Sequence, residues 1–194
     1  MSVEEVFQRI SSALDQAGIG YMLSGSFASA HYGVLRSTQD IDFVIEATPA
    51  LLRAFVEALP SSEYYADLDT ALQACNRQSM FNVIDLATGW KIDLIIRKSR
   101  AFSQEEFRRR QRVTLHGAAL FVATAEDVVI AKLEWAKLAQ SRRQIEDAAA
   151  ILRARRDALD HAYLEKWISE LGLTDEWGEA RRVAGVAHSN GACE

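Results

Sequence analysis

The chain has few cysteines, no long apolar run and no excess of positive charge, and each shortage excludes a class of protein. Cys75 and Cys193 have no Cys or His partner at ligand spacing, so we expect neither a disulfide scaffold nor a zinc site, and a reducing, cytoplasmic location. No apolar run approaches the roughly eighteen residues of a membrane span. The acidic, amphipathic start does not resemble a signal peptide. A net charge of −5 gives no overall bias toward nucleic acid.

The clearest chemical pattern lies in Asp40 and Asp42, which alternate with apolar residues in an apolar run. Side chains alternate along a strand, so the two carboxylates share one face while Ile41 and Phe43 point into a core. Aligned carboxylates need a cation, hydrogen-bond donors or open water. A divalent metal is the sharpest of these interpretations, because hard cations bind carboxylate oxygens and substrate phosphates.

Gly25 and Ser26 follow a short apolar strand that begins at Tyr21, and they open a helix of small residues. Glycine permits a tight turn and a close approach to a ligand, and Ser26 is expected to cap the helix. The N-terminus of that helix presents free N–H groups and a positive dipole end, which suits a phosphate. The small residues also suit close packing on a sheet. A phosphate site beside a metal site is what phosphoryl or nucleotidyl transfer requires.

The Gly-Ser turn, thirteen further residues and then D-I-D resemble the signature of the polymerase-β-like nucleotidyltransferase superfamily. The resemblance implies an α+β nucleotidyltransferase fold, with a small mixed β-sheet flanked by helices. It also implies a third carboxylate on a neighbouring strand, for which Asp93 in Lys91–Ile96 is the candidate. Asp40, Asp42 and Asp93 would then be the catalytic residues and would hold Mg²⁺ or Mn²⁺, with an NTP as substrate.

The segment Lys132–Leu152 resembles, more loosely, the AbiEii-like branch, which contains toxins of bacterial toxin–antitoxin and abortive-infection systems. This resemblance adds Lys132 and Asp147 to the Gly-Ser turn as nucleotide-binding candidates. The ordinary alternative is a solvent-facing lysine, with Asp147 paired to Arg143 four residues earlier.

Two groups of basic residues each have two interpretations. Arg36, in the loop before the aspartates, either neutralises a triphosphate or is a solvated loop arginine. A basic block between residues 97 and 112 is either a solvated, ion-paired helix face or a surface that faces RNA or phosphate. The block consists of Arg97, Lys98, Arg100, Arg108, Arg109, Arg110 and Arg112.

Turn and cap residues predict several local elements. Thr48 before Pro49 predicts a helix start. Thr88-Gly89 predicts a hairpin between the strands Ser79–Leu86 and Trp90–Ile96, and His116-Gly117 predicts a second hairpin.

We expect a nucleotidyltransferase core over residues 1–123 and a C-terminal helical region over residues 124–194 packed on that core.

The function that the resemblance implies is metal-dependent transfer of a nucleoside monophosphate from an NTP to an acceptor. RNA, including tRNA, a protein hydroxyl and a small molecule such as an aminoglycoside are all open as acceptors. A toxin role would add a cognate antitoxin as partner, and we expect no membrane partner. The alternative is a non-catalytic binding module or antitoxin that keeps the fold.

Overall fold

The computed structural model describes residues 3–34 and 38–186, which form a mixed sheet and its helices. The strands are β1 (Gly20–Leu23), β2 (Asp40–Glu46), β3 (Tyr64–Ala66), β4 (Met80–Asp85), β5 (Lys91–Ile96), β6 (Gln111–Leu115) and β7 (Ala118–Val122). The helices are α1 (Val3–Gln16), α2 (Gly25–His31), α3 (Pro49–Ala58), α4 (Leu68–Arg77), α5 (Ala101–Arg109), α6 (Ala125–Ala139), α7 (Arg142–Arg155), α8 (His161–Glu170) and α9 (Thr174–Ala184).

Across the described residues, the strands form one sheet in the order β3-β4-β5-β2-β1-β7-β6. The neighbours β2 and β5 run parallel, as do β1 and β7, and the other neighbouring pairs are antiparallel. The predicted α+β class and mixed sheet are therefore confirmed. The order places β2, the strand that carries the first two aspartates, in the middle of the sheet.

Both predicted hairpins are present. The β4–β5 connection contains Gly89 at a φ of +74°, a conformation that favours glycine. The β6–β7 connection has two central residues, His116 and Gly117, with φ values of +47° and +79°. Positive φ at both positions is the mark of a type I′ turn, whose twist matches the flanking strands.

The predicted helix start at Thr48 is also confirmed. The Thr48 side chain accepts a hydrogen bond from the backbone N–H of Leu51 at 3.3 Å, and Pro49 opens α3. The helix ends at Ala58. Leu59 is already extended, with φ −71° and ψ 125°, as expected for the residue before Pro60.

The core of the sheet follows from the alternation in β2. Ile41, Phe43 and Ile45 are all fully buried, and the residues between them are not. The amphipathic helix α1 contributes Phe7, whose ring meets that of Phe27 edge-on with 5.0 Å between centroids. Burial of such side chains stabilises the fold by about 1.5–3 kcal/mol each.

Strand β3 was not predicted from the sequence. It is only three residues long and pairs with β4, with Tyr64 opposite Asp85. A stretch this short cannot display the two-residue alternation from which strands are predicted. Its position at the edge of the sheet leaves it with a single neighbour.

The described chain divides into two compact units. The first contains residues 3–28 and 38–124, and the second contains residues 29–34 and 125–186. All strands belong to the first unit. In the second unit, α7 packs against both α6 and α9. Among the described residues, no helix combines the length and the apolar character that crossing a bilayer would require.

Candidate active site

Asp42 and Asp93 lie directly opposite each other in the parallel pairing of β2 with β5. Residues in register on neighbouring strands project to the same face, so the two carboxylates stand side by side. Asp40, two residues before Asp42, belongs to the same face and is opposite Lys91. The tertiary structure thus brings the three predicted aspartates to one face of two adjacent strands.

Lys91 lies between the first and third of these aspartates. Its Nζ is 3.3 Å from Oδ1 of Asp40 and 3.1 Å from Oδ2 of Asp93. The hydrogen bond to Asp93, assisted by the one to Asp40 and by the charge of both carboxylates, raises the pKa of Lys91 above its usual value. An ammonium group therefore already neutralises part of the negative charge of the site.

Asp93 is buried, with 9% of its side chain exposed. Its Oδ1 accepts a hydrogen bond from Nδ2 of Asn82, which is its register partner on β4, and its Oδ2 faces Lys91. A buried carboxylate is stable only when such donors compensate for the lost water. β5 lies between β4 and β2, so Asp93 is on an interior strand of the sheet.

The Gly25 turn is packed against Asp42. Gly25 has a φ of +60°, and a side chain there would place its Cβ 2.9 Å from Cβ of Asp42 and closer still to the carboxylate. The structure corrects the predicted cap: α2 begins at Gly25, so Ser26 lies inside the first turn. The first hydrogen bond of α2 is accepted by the carbonyl oxygen of Ser24, one residue before the helix, from the backbone N–H of Ala28 with 3.3 Å between N and O.

The donor set can be tested against a divalent ion. Among residues 3–34 and 38–186, no three carboxylate, imidazole or thiol side chains are arranged to hold a metal by themselves. Asp42 and Asp93 nevertheless supply hard oxygen donors on adjacent strands. Mg²⁺ at phosphate-transferring sites is held by one or two carboxylates together with substrate phosphates. The residues present fit a metal that is completed by a substrate.

Comparison with known proteins identifies the fold through structure alone. No protein-family model matches the chain, and a search of curated proteins gives no match. A crystal structure of an antigenic nucleotidyltransferase-like protein from Paracoccidioides brasiliensis matches with a TM-score of 0.55. It is 16% identical, and the match covers 92% of this chain and 91% of that one. The chain has the nucleotidyltransferase fold.

A second solved protein with the nucleotidyltransferase fold gives the same result. The solution structure of the antibiotic-resistance factor ANT(2'')-Ia matches with a TM-score of 0.55 at 14% identity, covering 92% of this chain and 98% of that one. Its crystal structure in complex with adenylyl-2''-tobramycin matches with a TM-score of 0.50 at 13% identity, covering 95% and 98%. At these identities the likeness concerns the fold.

Sequence reasoning missed two residues at the candidate site of this nucleotidyltransferase fold. Lys91 precedes Asp93 by two positions, so the alternation of β5 already placed both on one face, and that signal was available. Asn82 reaches Asp93 only through the register of the β4–β5 hairpin. Register depends on how the turn closes, which residue types alone do not determine.

Lys132 and Asp147 are found in the second unit, on α6 and α7. Nζ of Lys132 is 2.9 Å from Oδ2 of Asp147, and the two side chains are only 6% and 8% exposed. The ordinary interpretation of Lys132 as solvent-facing is therefore wrong, because the lysine is buried against an acidic partner on another helix. Arg36, the other cationic candidate, lies outside the described residues.

Several members of the basic block have structural partners. Arg108 donates to both carboxylate oxygens of Glu105, at 2.8 and 2.6 Å. Arg110 stacks over the Phe107 ring at 4.2 Å and donates to the Phe107 carbonyl oxygen at 2.6 Å. These are the local contacts that the first interpretation of the block predicts.

Proposed function

We propose that the chain transfers a nucleoside monophosphate from an NTP to the hydroxyl group of an acceptor. The observation that carries the proposal is the register of Asp42 with Asp93, on the face where the Gly25 turn meets Asp42. The nucleotidyltransferase fold supports it. In this reaction the hydroxyl oxygen attacks the α-phosphorus, the bond to the β-phosphate oxygen breaks, and pyrophosphate leaves.

The three aspartates are the proposed catalytic and metal-binding residues. Asp40, Asp42 and Asp93 would hold Mg²⁺ or Mn²⁺ with the help of substrate phosphates. Such an ion, when bound, supplies charge stabilisation at the phosphate oxygens and lowers the pKa of the acceptor hydroxyl. Asp93 is the candidate general base for the hydroxyl proton or a bridging ligand. Its burial and its hydrogen bond from Asn82 hold the carboxylate in one orientation.

The nucleotide is proposed to bind beside these carboxylates. Gly25 and Ser26, in the first turn of α2, would receive the β- and γ-phosphates on their backbone N–H groups. The sequence resemblance alone supports Lys132 and Asp147 as nucleotide-binding candidates. Arg36 is a candidate because of its charge alone. For Lys132 to bind a phosphate, it would have to exchange its contact with Asp147 for that phosphate.

The proposed activity has three candidate classes of acceptor. The resemblance of Lys132–Leu152 to the AbiEii-like branch supports RNA, including tRNA, or a protein hydroxyl, and a toxin that is paired with a cognate antitoxin. The structural match to ANT(2'')-Ia, an antibiotic-resistance factor solved with adenylyl-2''-tobramycin, supports the third acceptor class left open by the sequence, an aminoglycoside hydroxyl.

A second candidate is a non-catalytic module or antitoxin partner that uses the same fold. The contact of Lys91 with both Asp40 and Asp93 favours it, since a site in which an ammonium satisfies the carboxylates needs no metal. Persistence of this ion pair when an NTP and Mg²⁺ are present would support the module.

The test is transfer of label from α-labelled NTPs in the presence of Mg²⁺ to total RNA, total protein or an aminoglycoside. Wild type is expected to label one acceptor class, and Asp42→Asn is expected to lose at least about a hundredfold in rate, as for other groups that stabilise the transition state. Asp69→Asn, at an exposed position on α4, is the matched control and should label normally.

Equal labelling by wild type and Asp42→Asn would refute the assigned site. Nucleotide binding without label in any acceptor class, together with co-purification of a protein partner, would favour the module.

A further inference from the structure

Nζ of Lys91 lies between the carboxylates of Asp40 and Asp93, two of the three proposed metal-binding residues. It approaches one oxygen of each carboxylate, at 3.3 and 3.1 Å, and the second oxygen of Asp93 accepts from Asn82. Both oxygens of the buried Asp93 are thus engaged within the protein. A divalent ion that binds Oδ2 of Asp93 competes there with the Lys91 ammonium.

The charges of the ion, the ammonium and the arriving ligand decide when the ion displaces Lys91 from the carboxylates. A free divalent ion would be repelled by the positive Lys91 ammonium at short range. It would also compete with that ammonium for two carboxylates. A triphosphate brings several negative charges, which offer the ammonium a new partner and supply the ion with further oxygen ligands. The barrier to a bare ion therefore falls when the ion arrives together with a nucleotide.

We propose that Lys91 is a resident counter-cation that keeps the carboxylates poorly accessible to free divalent ions and gives way when metal and triphosphate arrive together. Lys91 is a positioning residue in this role, because it acts through the carboxylates. The inference rests on the proposed function only for the identity of the arriving ligand. The competition between ammonium and metal does not require catalysis.

The test measures Mn²⁺ binding in the absence of nucleotide, by the electron paramagnetic resonance signal of free Mn²⁺. Lys91→Met keeps an unbranched side chain, one atom shorter, and removes its charge, and we expect it to bind Mn²⁺ about tenfold more tightly than wild type. Lys91→Arg keeps the charge and should resemble wild type. Lys98→Met is the matched control, because it removes one positive charge from an exposed position just beyond β5.

A second titration adds a non-hydrolysable ATP analogue and is read against the analogue without protein, because a triphosphate itself binds Mn²⁺. Wild type should then gain more Mn²⁺ affinity than Lys91→Met, since the nucleotide relieves a competition that the variant lacks. Lys91→Gln replaces Lys91→Met if the latter shows no cooperative melting. Equal Mn²⁺ affinity in the neutral variant, wild type and Lys98→Met would overturn the inference. The absence of Mn²⁺ binding in all three would also overturn it.

The two proposals fail in different ways. Tighter Mn²⁺ binding by Lys91→Met with no label transfer by wild type supports the competition and refutes the transferase. Label transfer by wild type with unchanged Mn²⁺ affinity in Lys91→Met supports the transferase and refutes the competition.

Discussion

Lys132 on α6 and Asp147 on α7 form an ion pair, with 2.9 Å between Nζ and Oδ2, in which each side chain is more than nine-tenths buried. Lys132→Met removes the buried ammonium that faces the Asp147 carboxylate, and breaking a buried ion pair in this way costs about 3–5 kcal/mol. We expect Lys132→Met to lower the free energy of unfolding by that order, as measured by urea denaturation.

The double variant Lys132→Met/Asp147→Leu is the control for this prediction, because it removes both charges. The double variant should lose less free energy of unfolding, relative to wild type, than the single variant loses. A single variant as stable as wild type would show that the pair is not buried in solution.

Gly25→Ala tests the close approach of the turn to Asp42. The added Cβ would overlap the Asp42 side chain, and the φ of +60° is strained for alanine by about 1–2 kcal/mol. Gly89→Ala carries the same kind of backbone strain, at a φ of +74°, with no atom within 4 Å of the added Cβ. Gly25→Ala should therefore lower the melting temperature more than Gly89→Ala does. Equal losses would show that the turn has room to move away from Asp42.

His31 gives a prediction about pH. Burial, assisted by the charge of Arg155, lowers the pKa of His31 below its usual value. The unfolded chain therefore binds the proton more readily than the fold does. The stability associated with neutral His31 is present above a pH of about 6.5 and is lost as the pH falls through that value toward the folded pKa.

The fall in melting temperature between pH 8 and pH 5.5 should accordingly be smaller in His31→Gln than in wild type. His161→Gln is the matched control, because His161 lies exposed at the start of α8. An unchanged pH dependence in His31→Gln would contradict the lowered pKa.

Asn82→Ala tests the donor to Asp93. Without the amide, Oδ1 of a carboxylate that is only 9% exposed loses its partner, which costs about 1–3 kcal/mol. Asn76→Ala, at an exposed position on α4, should be nearly neutral. Thermal and urea denaturation of the two variants measure the difference, and equal stabilities would mean that water replaces the amide.

Much of the local structure was predictable because its causes are local. Thr48 before Pro49 indicated the start of α3, and His116-Gly117 indicated the tight turn between β6 and β7. Strand β3 was missed because three residues carry no detectable period. The cap assigned to Ser26 was wrong because α2 begins at Gly25 and the carbonyl of Ser24 accepts its first hydrogen bond.

The candidate site was predictable only in part. The alternation of β2 indicates that Asp40 and Asp42 share a face, since that depends on the geometry of a single strand. The same alternation also places Lys91 beside Asp93. It does not indicate whether Lys91 turns toward water or bridges the carboxylates, because side-chain contacts depend on charges that come from another strand.

By itself, the sequence determined which residues lie on one face of each strand, where the hairpins turn and where α3 begins, because these depend on neighbours within a few residues. Only the tertiary structure decided that β5 lies beside β2, with Asp93 opposite Asp42, and that Lys132 is buried against Asp147. Those pairings join segments far apart in the chain. Their register is selected by the packing of the whole sheet and of the helices, which no local pattern encodes.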